Sequence, residues 1–494
     1  MWLAGILERN LRRGPDRTAL RDVRRNVTWR EFDRDVGALA ETIGRRASAG
    51  DRVLVLSGNR VEVLETYFAC AAAGAVATPL NPALTDTEID GILGPVAPVL
   101  AIADAPGLER LARLRPGLPL LPIEDVAELP DASGPPPAPV AMDAPAAILH
   151  TSATSGRPKG VVVDQRSFAL NAFSWMADVG AGEGTVFLNA CPLFHGSMVI
   201  ALDYLAAGAT VCVLDRFTPQ GCLTALETWR AGHAFLVPSM VALLLETRAL
   251  AGTRLDALDL LLHGAAPMPP SLADAAAARL GVRLQTIYGI TEGGGPALSL
   301  RPDDKPAAPP VPGATCAGRP MLGTVARIAG PDDRTLGPGE IGELRLRGDG
   351  VMRGYWNEPE ATAEALRGGE LNTRDLCGID GDGFFWVVDR RTDLILRGGQ
   401  NVYPAEIEHV LREASCVADV AVVPAPSNRW GQTPVAFLSA AGPAGIDEAE
   451  LLRLCVAHLA PYKRPSRFVT VEEIPRNPAG KILRTRLRER AAEA

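Results

Sequence analysis

The decade Thr151–Gly160, TSATSGRPKG, decides how the rest of the chain is read. An apolar run, Ala146 to Leu149, leads into it, and this pattern predicts a loop leaving the end of a buried strand. Thr151, Ser152, Thr154 and Ser155 bring hydroxyls, Gly156 and Gly160 let the backbone come close, and Lys159 adds a positive charge. Such a set suits a polyphosphate, because backbone amides of a Gly-rich turn form an anion nest and an ammonium neutralises the remaining charge. No Gly-x-x-x-x-Gly-Lys-Ser/Thr frame can be laid over it. The same composition also occurs in ordinary surface loops, so the reading needs support from elsewhere in the chain.

That support begins with the pattern around the decade. Val53–Leu56, Val76–Leu80, Pro98–Ala103, Val186–Asn189, Thr210–Leu214, Ala234–Val237, Leu258–Leu262 and Arg283–Ile287 are short apolar runs. Between them lie helical periodicities such as Val61, Leu64, Tyr67, Phe68 and Ala71. Strands alternating with helices predict an α/β fold with a mostly parallel, helix-covered sheet, whose ligands gather at the carboxyl ends of the strands. The decade, the segment at His195, Gly264 to Pro267 and Tyr288 to Glu292 all follow such runs. Pro130–Pro145 and Arg301–Gly318 read as surface connectors, and Thr324–Ala329 with Gly342–Arg347 as a small antiparallel subdomain. After a charged junction at Asp389–Thr392, the pattern changes to a small α+β domain of about 100 residues. The expected division is 1–390 and 391–494.

A chain of 494 residues exceeds what one hydrophobic core usually supports. Its net charge of -8 argues against nucleic-acid or anionic-membrane partners. Eight scattered cysteines, with no C-x-x-C pair, read as reduced thiols, and the N-terminus lacks the basic start of a signal peptide. A cytoplasmic protein without an integral membrane segment is expected.

Five further segments follow the decade: CPLFHG (Cys191–Gly196), YGITE (Tyr288–Glu292), TRDL (Thr373–Leu376), DRRTDLILRGGQNVYPAEIE from Asp389, and PRNPAGK ending at Lys481. In this order they resemble the motifs of the adenylate-forming superfamily, which includes acyl- and aryl-CoA ligases, and the resemblance runs over nearly the whole chain. It implies two half-reactions: ATP and a carboxylic acid give acyl-adenylate and pyrophosphate, and a thiol, usually coenzyme A, then displaces AMP. It also implies that the small C-terminal domain is mobile.

The resemblance assigns the decade to the β- and γ-phosphates. Tyr288, with Gly289 beside it, would pack on adenine, Thr291 would donate to the α-phosphate, and Glu292 would ligate Mg²⁺, a hard cation. Asp375 would accept the ribose hydroxyls, and Arg390 would reach ribose or phosphate. Gly264, Ala265 and Ala266 would run along the adenine and the acyl pocket. His195 would orient the carboxylate or gate its pocket, since a carboxylic acid is already ionised at neutral pH and needs no base. Lys481 would be the adenylation lysine, and Gly398 and Gly399 would line the pantetheine tunnel. Three positions depart from the family pattern: Ala153 stands where most relatives have Gly, Ser155 where they have Thr, and Thr392 where they usually have Lys or Asp.

The implied function is an AMP-forming acid–CoA ligase. A ligase loading the phosphopantetheine of a separate carrier protein, or one activating an unusual oxyacid, stays open, as does the identity of the acid. Gly196, Ser197, Gly264 to Ala266 and Gly293 to Gly295 are expected to leave room for a ring or an acyl chain. A nucleotide sensor without catalysis conflicts with the joint presence of Lys481, Glu292 and Asp375.

Overall fold

The computed structural model describes residues 3–134, 140–151, 158–390, 393–397, 400–427, 430–477 and 480–493, with backbone only at 390, 400, 401 and 493. Ser152, Thr154, Ser155, Gly156, Ala153, Thr392, Gly398 and Gly399 therefore lie outside the described residues.

Two large sheets form the body of the N-terminal domain. In the first, Arg283–Ile290, Leu260–Gly264, His233–Leu236, Val186–Asn189, Thr210–Val213 and Thr18–Arg21 lie side by side and parallel. In the second, Pro145–Thr151, Val76–Pro79, Arg52–Leu56, Leu100–Ala103 and Leu120–Pro122 are parallel. A single apolar core joins them: Val53, Ala77 and Leu149 of one sheet meet helices that also pack on Phe187, Leu262 and Ile287 of the other. Helix Val61–Ala73 lies in this layer with all but its last residue buried, which explains its lack of a polar face. The outer faces are covered by Pro219–Thr228, Pro238–Glu246 and Pro270–Leu280 on one side and by Asp86–Val96 and Ala105–Leu114 on the other.

The expected antiparallel subdomain is present, but it continues the first sheet. Gly295–Leu300 pairs antiparallel with Arg283–Ile290, and Thr315–Pro320, Phe385–Arg390, Glu370–Ile379, Ile341–Arg347 and Val325–Ala329 extend it strand by strand. The connector expected over 301–318 is accordingly shorter, because Thr315–Pro320 is a strand. Gly318, at φ +92°, lets this strand close on Ser299, where a Cβ would collide with the backbone. Likewise, the connector expected to end at Pro145 gives way there to the strand Pro145–Thr151.

The small C-terminal domain has the antiparallel pair Val417–Ser427 and Gly431–Ala440, with Arg467–Thr470 parallel to the latter. Helices Pro404–Leu411 and Glu448–His458 cover one face and Arg484–Glu493 the other.

Candidate active site

The strand entering the decade returns as its antiparallel neighbour. Pro145–Thr151 pairs with Lys159–Asp164, and Thr151 stands in register with Lys159, so the two ends of the Ser/Thr-rich loop are held together. A Cβ on Gly160 would stand 2.6 Å from Ile148 Cγ2. Strand Gly354–Tyr355 then pairs with Val161 and Val162 on the open side of this hairpin. The Lys159 ammonium lies 5.0 Å from the centroid of the Tyr355 ring, a cation–π contact. The Tyr355 hydroxyl donates to Glu292 Oε1 at 2.9 Å. Burial, and next the neighbouring Glu292 carboxylate, push the phenol above its usual range, so it is a donor at neutral pH.

The second group sits where the parallel part of the first sheet meets the antiparallel part. Gly264 faces Ile287 in register, and any Cβ on Gly264 would collide with Ile287 O, so this glycine serves strand approach. Ala265 follows at φ 64°, a left-handed backbone that costs an L-residue about 1 to 2 kcal/mol; Ala266 is half-buried. The pairing of Arg283–Ile290 shifts between Tyr288 and Gly289, and a Cβ on Gly289 would lie 2.5 Å from Gly295 O. The shift leads into a short 3₁₀ turn, Thr291–Gly293, that presents Thr291 and Glu292.

The Tyr288 hydroxyl donates to Asp375 Oδ2 at 2.5 Å across 87 residues of sequence. Asp375 is only 3% exposed, lies within strand Glu370–Ile379, and follows Arg374, whose φ is 61°. Its amide donates to Thr373 Oγ1, which itself donates to Leu344 O at 2.8 Å. Arg390 stands opposite Asp375 in register.

His195 precedes helix Gly196–Ala206, its ring 4.7 Å from that of Phe194. Burial lowers the imidazole pKa, leaving it neutral at pH 7. Lys481 closes a turn in which Asn477 N–H donates to Lys481 O and Lys481 N–H to Asn477 Oδ1, at 2.8 and 2.9 Å. Gly480, at φ +77°, rests on the end of strand His233–Leu236: a Cβ there would be 2.8 Å from Ser239 Oγ and 3.3 Å from Val237 Cγ2. The lysine's turn thus reaches the carboxyl-end rim on which the other groups stand.

The structure therefore brings together Thr151 with Lys159, Lys159 with Glu292 through Tyr355, and Tyr288 with Asp375. His195 is carried separately, its ring contact being with Phe194. One expectation fails. Gly294 and Gly295 leave no acyl space, since Cβ atoms there would strike Gly350 O and the Asn171 amide, whose Nδ2 donates to Gly294 O. Ser197 is closed off too, its hydroxyl bonded to Pro192 O, whereas Gly196 has open space beside it. Tyr355 escaped the sequence reading; the only signal was an aromatic pair, Tyr355-Trp356, outside the quoted motifs.

The family model for the AMP-binding enzyme matches residues 7–356, and that for the AMP-binding enzyme C-terminal domain matches 406–481. The chain belongs to the AMP-binding enzyme family. Within it, a feruloyl-CoA synthase from an Amycolatopsis species is 36% identical over 488 residues, 98% of this chain and 97% of that protein. The fatty acid–[acyl-carrier-protein] ligase ScoC of Streptomyces coeruleorubidus is 33% identical, over 94% of this chain and 92% of that one. The crystal structure of ATP-bound MatB from Rhodopseudomonas palustris superposes with a TM-score of 0.91 at 28% identity, covering 99% of both chains. The family's two-domain architecture, large then small, is the one described above.

Proposed function

We propose that this AMP-binding enzyme joins a carboxylic acid to the thiol of coenzyme A through an acyl-adenylate, with ATP as the activating substrate. The observation that carries the reading is the Tyr288–Asp375 hydrogen bond, which unites two motifs distant in sequence into one buried polar site at the strand ends. On this reading Asp375, an acceptor-only group, takes the ribose hydroxyls, Tyr288 flanks the adenine, and Arg390 approaches from the opposite strand. Thr151, Lys159 and the loop between them, with Ser152, Thr154, Ser155 and Gly156, hold the β- and γ-phosphates, and Thr291 the α-phosphate. Gly264 to Ala266 form a wall of small residues beside the base, and Gly289 lets the Glu292 turn approach.

Glu292 fits Mg²⁺ arriving with ATP: it offers one carboxylate, and the described residues contain no cluster of three or more His, Cys, Asp or Glu side chains able to cage an ion. Mg²⁺ would supply charge neutralisation on the phosphates. Adenylation brings an anionic carboxylate against an anionic phosphate, so the groups that matter stabilise negative charge. Lys481 does so from the small domain. Neutral His195 orients the carboxylate, which is already ionised and needs no base. For the second half-reaction the small domain turns about a boundary after Arg390, separating 1–390 from 391–494, and Gly398 and Gly399 line the path of the pantetheine. All eight cysteines are free thiols, which supports a cytoplasmic setting, and among the described residues no helix is long and apolar enough to cross a membrane.

The relationship to ScoC favours one second reading, transfer to a carrier-protein phosphopantetheine. Both are tested by measuring pyrophosphate release with MgATP over a panel of aryl and alkyl acids, then AMP release with CoA or with a phosphopantetheinylated carrier protein. Acid-dependent pyrophosphate release followed by CoA-dependent AMP release is expected. Release that no acid stimulates would refute the proposal, and AMP release on the carrier alone would establish the second reading.

A further inference from the structure

Residues 349–357 form a strap between the two groups of the site. On one side Arg353 N–H donates to Val162 O at 3.0 Å and Trp356 N–H to Gly160 O at 2.7 Å, fastening the strap to the phosphate hairpin. On the other side Met352 N–H donates to Glu292 O at 2.9 Å, and Gly294 is packed under Gly350 O. Side chains alternate along the strap. Trp356 points away, its Nε1 donating to Pro95 O and its ring beneath Arg52. Tyr355 points toward the site, where its ring meets the Lys159 ammonium and its hydroxyl meets Glu292.

We infer that Tyr355 is a positioning residue: through its ring it places Lys159 for the triphosphate, and through its hydroxyl it fixes Glu292 for the divalent cation. Lys159 and Glu292 carry opposite charges, and a direct ion pair would consume both. A phenol touching each keeps them apart, because the ring face attracts the ammonium while the hydroxyl occupies only one carboxylate oxygen. Such an outer partner of a metal-binding carboxylate fixes its orientation, and its loss commonly weakens metal binding by tenfold or more. The inference rests on the proposed binding of ATP with Mg²⁺.

The test measures ATP binding to the full-length protein by titration calorimetry, without acid, over a series of Mg²⁺ concentrations. Wild type, Tyr355→Phe, Tyr355→Leu, Glu292→Gln and the double variant Tyr355→Phe/Glu292→Gln are compared, each checked by thermal unfolding. Tyr355→Phe should raise the Mg²⁺ concentration for half-maximal binding by roughly tenfold, with affinity at saturating Mg²⁺ altered less than about twofold, since the ring is kept. Tyr355→Leu should in addition weaken binding at saturating Mg²⁺ by about two- to fivefold, the scale of an exposed cation–π contact. In the Glu292→Gln background, Tyr355→Phe should leave the Mg²⁺ dependence unchanged. A Tyr355→Phe midpoint within twofold of wild type, or the same shift in the Glu292→Gln background, would overturn the inference. So would failure of Tyr355→Phe to fold, which would make the hydroxyl structural. Failure of wild type to bind ATP at any Mg²⁺ concentration would instead refute the proposed function.

Discussion

The docking of the Lys481 turn makes a prediction that separates the two half-reactions. Gly480 sits at φ +77°, with the position of a missing Cβ 2.8 Å from Ser239 Oγ and 3.3 Å from Val237 Cγ2. Gly480→Ala adds two costs. Left-handed strain of about 1 to 2 kcal/mol applies wherever the turn keeps this shape, docked or not, and so cancels between the two domain positions. The steric cost applies only when the turn is docked. Val237 is 4% exposed and cannot retreat, while the Ser239 hydroxyl can swing aside, which puts the cost near the low end of overpacking, about 1 to 2 kcal/mol. Docking should therefore weaken by about five- to thirtyfold. Acid-dependent pyrophosphate release should fall by that factor, while thioester formation from synthetic acyl-adenylate and CoA should stay within about twofold of wild type. Ser239→Gly in the same protein should restore part of the loss, because it removes the nearest obstacle but leaves Val237. Equal slowing of both half-reactions in a folded Gly480→Ala variant, or no slowing of either, would show that this contact does not deliver Lys481 to the site.

Three further outcomes are expected. Lys481→Ala should reduce acid-dependent pyrophosphate release by about 10²-fold, the scale for one electrostatic stabiliser, and leave thioester formation from synthetic acyl-adenylate near its normal rate. Asp375→Ala should raise KM for ATP and lower turnover, each charge-assisted hydrogen bond to ribose being worth about 1.5 to 3 kcal/mol; an unchanged ATP response would remove Asp375 from the site. Burial holds the His263 imidazole down to about 4, so the unfolded chain binds the extra proton and stability is full above about pH 6.5 and lost as pH falls toward 4. From that one group the loss at pH 5 is about 2 kcal/mol, and denaturant unfolding of His263→Leu should show a correspondingly smaller drop between pH 7 and pH 5.

The central parallel strands were legible because they are almost wholly buried and so appear as uninterrupted apolar runs: Val186–Asn189 has the same bounds in sequence and structure. The parallel strands Thr18–Arg21 and Leu120–Pro122, short and partly exposed, gave no such run. Elements with one wet face were shortened or missed. The hairpin of Val417–Ser427 and Gly431–Ala440 is uniformly apolar in sequence only through its middles, Val420–Val423 and Val435–Leu438. Helix Arg484–Glu493 has few apolar residues and gave no periodic signal. Helix Trp29–Gly44 did carry one, the Thr28–Glu31 capping box, which the reading did not use. At the candidate site, motif order supplied the residues to look for, but contacts between motifs were not legible. Nothing near Tyr288 announces Asp375, and Tyr355 meets Lys159 and Glu292 only because Gly354–Tyr355 pairs with the strand Lys159–Asp164. The glycines misled in a consistent way. Gly264, Gly294 and Gly295 read as room for ligand, yet backbone or Asn171 fills the place of each missing side chain.

These close approaches explain why the proposed nucleotide grip can be rigid while the lysine that completes it is carried by another body. Gly264, Gly289 and Gly294 let strands and strap pack against the seam that holds Tyr288, Glu292 and Asp375, all within the large domain. The small domain has its own apolar clusters, drawn entirely from residues between 395 and 491. Its described contacts with the rest of the chain include Asp389 Oδ2, which accepts from Ala405 N–H at 3.3 Å, Gly313 beside Ala405 O and His409 Cβ, and Gly480 resting on Ser239 and Val237. The apolar clusters of the small domain share no residue with those of the large one, so the proposed turn would leave each hydrophobic core whole. In the proposed two-step reaction the small domain would leave the seam after adenylation and return for the next ATP, while Asp375 and Tyr288 would keep the geometry that receives it.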